Sequence, residues 1–230
     1  MKKMYILTID TSDRSIVGVA RDELGTMTEV ARELSSDSRH HAETLTPMVA
    51  AALASAGIEK PDAIVAGTGP AAFTGLRAGL MTARALARAW DVPLYGVSSL
   101  EVLALAGTRL GFNEVLAVID ARRKELFALR ARPMGGDDVA ILSGPEIVKP
   151  ADLAGLLARA EAGLVSSHPD LYPELASAAD VQCEPAVMAS LALSHVTRQE
   201  AGEDIDLGTE PQYLRRPDIH GGGVSQPAAR

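Results

Sequence analysis

The stretch AIVAGTGPAAFTGLRAGLMTARALARAW, residues 63–90, decides how this chain is read. Four apolar residues at 63–66 form a buried-looking strand, which runs into a Gly/Pro loop at 67–70 and then a helix over about 75–90. Thr74 is placed as the N-cap, with a hydroxyl to accept a first-turn N–H. Leu76, Leu80, Ala83, Ala87 and Trp90 recur at helical spacing on one face, and Arg77, Arg84 and Arg88 form a second, basic stripe. Strand end, glycine loop and helix N-terminus together make a corner suited to an anion, because unpaired N–H groups and the helix dipole point there.

The loop residues Gly67, Gly69 and Ala72 fit G-x-G-x-x-G/A, the dinucleotide fingerprint. Their context argues against it. The strand is the fourth of its sheet, Pro70 removes an N–H that a pyrophosphate would want, and Val97-Ser98 stands where a ribose-binding acid belongs. No G-x-x-x-x-G-K-[ST] loop is present.

A chain of 230 residues that is 47% hydrophobic has ample material for a core, but with 3% aromatics that core is built from Ala, Leu and Val. The balance of 22 Lys+Arg against 30 Asp+Glu, a net charge of −8, argues against a chain that grips nucleic acid by itself, without a local basic patch or a basic partner. The one cysteine, Cys183, excludes an internal disulfide and a multi-cysteine zinc site, and reads as a small buried hydrophobe. There is no signal-peptide pattern and no apolar run of membrane-spanning length, so the expectation is a cytoplasmic protein without a membrane segment.

Apolar runs at 4–9, 15–20 and 27–34, joined by polar turns, predict an antiparallel meander. A helix ending at Gly57 follows, with Leu45, Val49, Ala52, Leu53 and Ala56 on its apolar face. Pro47 leaves two starts open. Either Thr46 is the N-cap and Pro47 the first helical residue, or the helix begins near His40 with the proline inside it. Strand 62–66, the helix at 75–90, strand 93–97 and a helix at 98–110 complete a βββαβαβα series. Ser98 or Ser99 caps the last helix and Glu101 sits in its first turn. The second half repeats that order: strands at 114–119, 125–131 and 139–142, helices at 150–162 and 185–201, and a strand at 163–166. The expected division is a first α/β subdomain at 1–110, a second at 111–216, and an unstructured tail at 217–230.

Candidate chemistry is sparse. His40 and His41 have no partner histidine at helical spacing, so no zinc-protease motif exists and no metal site is expected. No G-x-S-x-G marks a nucleophile, and His168 and His195 carry no triad spacing. Asp10 and Asp120 end strands at matching places in the two halves, where paired carboxylates could hold a metal–phosphate complex. Strand-end aspartates are also ordinary turn formers, and Asp120 with Arg122 and Glu125 reads better as a satisfied polar cluster.

The segments ILTIDTSDRSIVGVA (6–20), RHHAETLTPMV (39–49), GTGPAAFTGLRAGL (67–80), VPLYGVSSLEVLA (92–104), VLAVIDARRKELF (115–127) and PQYLRR (211–216) resemble the TsaB (YeaZ) proteins of bacteria. Ala71-Ala72 departs from the family, which often has Gly-Ser there. The resemblance implies a duplicated actin/Hsp70-like fold of two α/β subdomains with mixed sheets. It implies a role in forming N6-threonylcarbamoyladenosine at position 37 of tRNAs that read codons beginning with adenine. In that role TsaB has no catalytic residues, binds the catalytic paralogue TsaD and scaffolds an assembly with the ATPase TsaE; tRNA is met indirectly. ATP belongs only to the assembled complex, and this chain alone carries no cofactor.

The resemblance also implies that the partner surface lies on the two helices of the first subdomain, at Leu45, Met48, Val49, Ala52, Leu76, Leu80, Ala83, Arg84 and Ala87. Their many alanines keep both helices thin enough to pack against two from a partner, and self-association through the same helices, a homodimer, would compete. The motif loop, a vestigial anion site, comprises Asp10, Ser12, Gly67, Gly69, Pro70, Thr74, Gly75, Arg77, Asp120 and Arg122. A second reading is an ATP- or phosphate-binding enzyme of the same fold, kinase-like or M22-type peptidase-like, using the interdomain cleft.

Overall fold

The computed structural model describes residues 3–35, 41–71, 73–160 and 162–215; the expected tail, His40 and Ala72 lie outside the described residues. The meander forms as patterned: β1 (Met4–Asp10), β2 (Ile16–Glu23) and β3 (Thr26–Leu34) pair antiparallel in sequence order. On the other side of β1, β4 (Ala63–Gly67) and β5 (Leu94–Val97) add in parallel, giving the order β3-β2-β1-β4-β5. The second sheet contains β6 (Val115–Arg122), β7 (Glu125–Pro133), β8 (Val139–Val148), β9 (Gly163–Ser166) and β10 (Ala179–Asp180). Its order, β8-β7-β6-β9-β10, follows the same path, with β6 taking the place of β1. The duplication is therefore topological, two five-stranded mixed sheets of the same strand order, although the two halves share no run of letters.

Strand periodicity divides the core. Ile6, Ile16, Ala20, Ala63 and Val65 face one side of the first sheet, and Leu7, Ile9, Val17, Val19, Ile64 and Ala66 face the other. The second side is covered by α1 (His41–Ala56) and α2 (Phe73–Trp90). The first side meets α3 (Ser99–Arg109) and α5 (Pro185–Glu200), which lie between the two sheets in one common core. These two helices exchange roles: α3, from the first half, packs on β6, β7 and β9, while α5, from the second, packs on β1 to β5. The far side of the second sheet takes α4 (Leu153–Ala160). Each Leu or Ile buried in these layers contributes roughly 1.5–3 kcal/mol.

Several boundaries differ from the sequence reading. Pro47 lies inside α1, which already runs from His41. α2 begins at Phe73, so Thr74 is an exposed first-turn residue rather than the N-cap. Ser98 does hold the N-cap position of α3, but its hydroxyl donates to the Gly69 carbonyl at 3.2 Å instead of capping. The expected helix at 150–162 is a short 3-10 turn, Pro150–Asp152, followed by α4. β8 extends to Val148, and β10, only two residues long, is too short to leave a periodic signal.

Candidate functional site

The parallel strands β1, β4 and β5 end together beside the first turn of α3, and the motif residues meet there. Asp10 closes β1 and is 2% exposed. Its carboxylate accepts the Ser12 N–H at 2.9 Å, the Ser12 hydroxyl at 2.5 Å and the Ser99 hydroxyl, from the start of α3, at 2.5 Å. It lies against the end of β4, where a Cβ on Gly67 would collide with it. That is why a glycine closes this strand.

The loop beyond is equally engaged. Gly69, at φ +89°, offers its carbonyl to the Ser99 N–H at 2.8 Å. Thr68 donates N–H and hydroxyl to Val97 O, and Gln212 returns both a backbone and a side-chain bond to Thr68. Thr11 donates to the Gly75 carbonyl at 2.9 Å, and a Cβ on Gly79 would strike Thr11. The Gly75/Gly79 spacing thus seats the β1–β2 turn on α2. Pro70 is buried in the same loop.

This corner has the shape of an anion site, but three donors beside it, the Ser12 N–H and the Ser12 and Ser99 hydroxyls, are already taken by the Asp10 carboxylate. An incoming phosphate would face like charge at short range. Asp13, one turn further, accepts from Ser167 Oγ at 2.9 Å and sits 3.0 Å from His168 Nδ1, so the end of β9 crosses to meet the β1–β2 turn. Cys183 lies under the same knot; burial, with Asp10 beside it, pushes its thiol well above the usual range and makes it a poor nucleophile.

Asp120 does not join Asp10. It closes its own turn, accepting the Arg122 N–H at 2.8 Å and pairing with the Arg122 guanidinium at 3.1 Å; Tyr172 OH lies at 3.4 Å. Glu125 pairs instead with Arg215. Among the described residues no group of three or more His, Cys, Asp or Glu is placed to hold a metal ion.

The helix residues assigned to a partner need correction. Leu45, Val49, Ala52, Leu76, Leu80, Ala83 and Ala87 are buried against their own sheet, because an apolar stripe at helical spacing satisfies the nearest core first. Neither Leu45 nor Leu80 faces out. Met48 and Arg84 are half-buried, and the outward surface is Thr46, Ala50 and Ala54 on α1 with Arg77, Met81, Ala85 and Arg88 on α2. Met81 is 61% exposed.

A polar cluster between the subdomains went unread in the sequence. Asp138, buried before β8, receives Ser194 Oγ at 2.7 Å and Arg198 Nη1 at 3.0 Å, with His195 Nε2 at 3.3 Å. Burial alone would raise its carboxyl; the bonds from His195, Ser194, the Val139 N–H and Arg198 outweigh that and hold it at about 2. Burial, helped by the Asp138 charge, pushes Glu101 upward against the pull of His195, 3.8 Å away. Glu101, His195 and Arg198 line a cavity of about 430 Å³, walled by Thr68, Gly96, Ser98 and the segment after α5. Only the coincidence of α3 and α5 in one layer brings them together, so no spacing could reveal them.

The comparisons follow this geometry. A model of the family described as TsaD, tRNA N6-adenosine threonylcarbamoyltransferase, matches residues 32–188. An uncharacterised protein of Mycobacterium tuberculosis H37Rv is 36% identical over 218 residues, 93% of this chain and 92% of that protein. A tRNA threonylcarbamoyladenosine biosynthesis protein TsaB of Haemophilus influenzae is 34% identical over 132 residues, 55% of this chain and 53% of its own. The solved structure of YeaZ from Pseudomonas aeruginosa superposes with a TM-score of 0.69 at 28% identity, covering 92% of this chain and all of that one. With the duplicated sheets and the motif corner in place, the chain belongs to the TsaD-type threonylcarbamoyltransferase family, as a member of its TsaB (YeaZ) kind.

Proposed function

We propose that this chain is the non-catalytic partner of TsaD in forming N6-threonylcarbamoyladenosine at position 37 of tRNAs reading codons that begin with adenine. The observation that carries the reading is the Asp10 knot. The chain retains a strand-end corner of the kind that handles phosphate, yet its own carboxylate stands in it, taking the Ser12 N–H and the Ser12 and Ser99 hydroxyls. The Asp13 contacts to Ser167 and His168 narrow the same opening. What remains for function is surface. The outward faces of α1 and α2, with their small residues and the exposed Met81, suit a helix pair of a partner.

TsaE joins through the TsaD complex, nucleotide is held only in that assembly, and the chain works in the cytoplasm. No helix among the described residues is long and apolar enough to cross a membrane. The test is reconstitution. Purified TsaD and TsaE should modify tRNA only when this chain is added, and Met81→Asp should abolish its co-elution with TsaD while the protein stays folded. Turnover of substrate by the chain alone, or micromolar Mg-ATP binding to it in calorimetry, would replace this reading with the enzymatic one.

A further inference from the structure

The basic stripe of α2 is already occupied by the chain itself. Residues 203–215 leave α5 without regular structure and run along the flank of α2. Glu203 takes the Arg198 fork at 2.6 and 2.9 Å. The Leu207 carbonyl accepts the Gly96 N–H at 2.9 Å, covering the open edge of β5. A Cβ on Gly96 would strike the Gly208 carbonyl, so this close approach needs the glycine. Arg84 then donates Nε to Thr209 Oγ1 at 2.9 Å and Nη2 to both Thr209 O and Glu210 Oε1 at 2.8 Å. Arg77 donates to Tyr213 OH at 2.7 Å, and Arg215 reaches the Ala121 carbonyl and Glu125 across the cleft.

This arrangement displays the chemistry that the α2 flank recognises: a carboxylate with a carbonyl on Arg84, and a tyrosine hydroxyl on Arg77. Asp204, Asp206 and Glu210 make the segment acidic, complementary to Arg77, Arg84 and Arg88, within a chain of net charge −8. Glu210 is 86% exposed in its pair with Arg84, and such an exposed pair is easily exchanged. The segment also forms the outer wall of the 430 Å³ cavity through Asp204, Asp206, Gly208, Glu210 and Gln212.

We propose that residues 208–213 are an internal competitor for the flank of α2. A protein partner that brings a carboxylate to Arg84 displaces Glu210 and Tyr213, and the lifted segment opens the cavity between the subdomains. The inference rests on the reading of α2 as a docking helix.

Two variants break the same Arg84–Glu210 pair and separate the alternatives. With TsaD as the probe in calorimetry on the full chain, Glu210→Ala should tighten binding about two- to fivefold, since the competitor is weakened. Arg84→Ala should weaken it about tenfold, because the partner loses its own contact; Arg84→Lys, which keeps charge without the fork, should fall between them. The amides of 208–210, 212 and 213, Gln212 on Thr68 O above all, should lose hydrogen-exchange protection in the saturated complex. A shift in the same direction for Glu210→Ala and Arg84→Ala overturns the inference, as does unchanged or increased protection at 208–213, while the docking reading stands. Wild-type protein that fails to bind TsaD overturns both.

Discussion

The β1–β2 turn and the β6–β7 turn occupy equivalent places in the two halves, and they solve the same problem in opposite ways. Both follow an aspartate near the end of the leading strand, Asp10 paired across to Ile16 and Asp120 to Leu126. The first turn is broad, residues 11–15, and every polar side chain from Thr11 to Asp13 is spent on another element. The second is tight, with Arg122, Arg123 and Lys124 all exposed and left-handed at φ 63°, 57° and 58°. Asp10 is buried under the N-terminus of α3, whereas Asp120, its side chain 10% exposed, is held by the Arg122 N–H and guanidinium of its own turn and by the Tyr172 hydroxyl. The first corner is a structural knot shared by four elements; the second is a local hairpin.

Unequal mutational costs would sharpen that contrast, and equal ones would erase it. Replacing Asp10 with Ala leaves three buried donors without their acceptor, so urea unfolding at pH 7 should show a loss of about 3 kcal/mol. Asp138 separates burial from pairing. Its carboxyl is depressed from 3.8 to about 2, so its contribution is complete above pH 4 and disappears as pH falls through 2. Wild-type protein should therefore lose about 2 kcal/mol over that range relative to Asp138→Asn, read from melting at each pH. At the tight turn, Lys124→Gly relieves one left-handed side chain and should stabilise the protein by about 0.5–1 kcal/mol in the same urea assay. The smallest effect belongs to Asp120→Ala, about 0.5 kcal/mol or less, since its partner Arg122 is 54% exposed and keeps water when the carboxylate is removed. A loss at Asp120 as large as at Asp10 would mean that the two corners are not different in kind.

Much of the fold was legible. The alternation in β1, β2 and β6 and the helical stripe of α2 each depend on one element's own period, which the letters carry directly. The motif residues around Gly67 were found for the same reason. What they do was not legible: Gly67 read as part of an anion-suited loop, yet Gly67 and Gly79 each mark where Asp10 or Thr11 presses against the backbone. The stripe at Leu76, Leu80 and Ala83 belongs to the partner surface that the resemblance implies, but it lies buried on its own sheet, because a period reports that one side is apolar, not which neighbour it meets. The segment 203–215 left a motif, PQYLRR at 211–216, but no sign of where it lies, since it has no period and draws its structure from Arg77, Arg84 and Gly96, more than 100 residues away in the chain.

By itself the sequence determined the strand and helix order, the duplicated plan and the absence of nucleotide-loop and metal-ligand spacings, because these are local patterns. Tertiary structure alone decided that α3 and α5 exchange sheets, that Asp10 fills its own corner, and that the last segment lies on α2. Those outcomes depend on contacts between residues far apart in the chain, where free energy is set by who is adjacent in space, and no one-dimensional spacing records that.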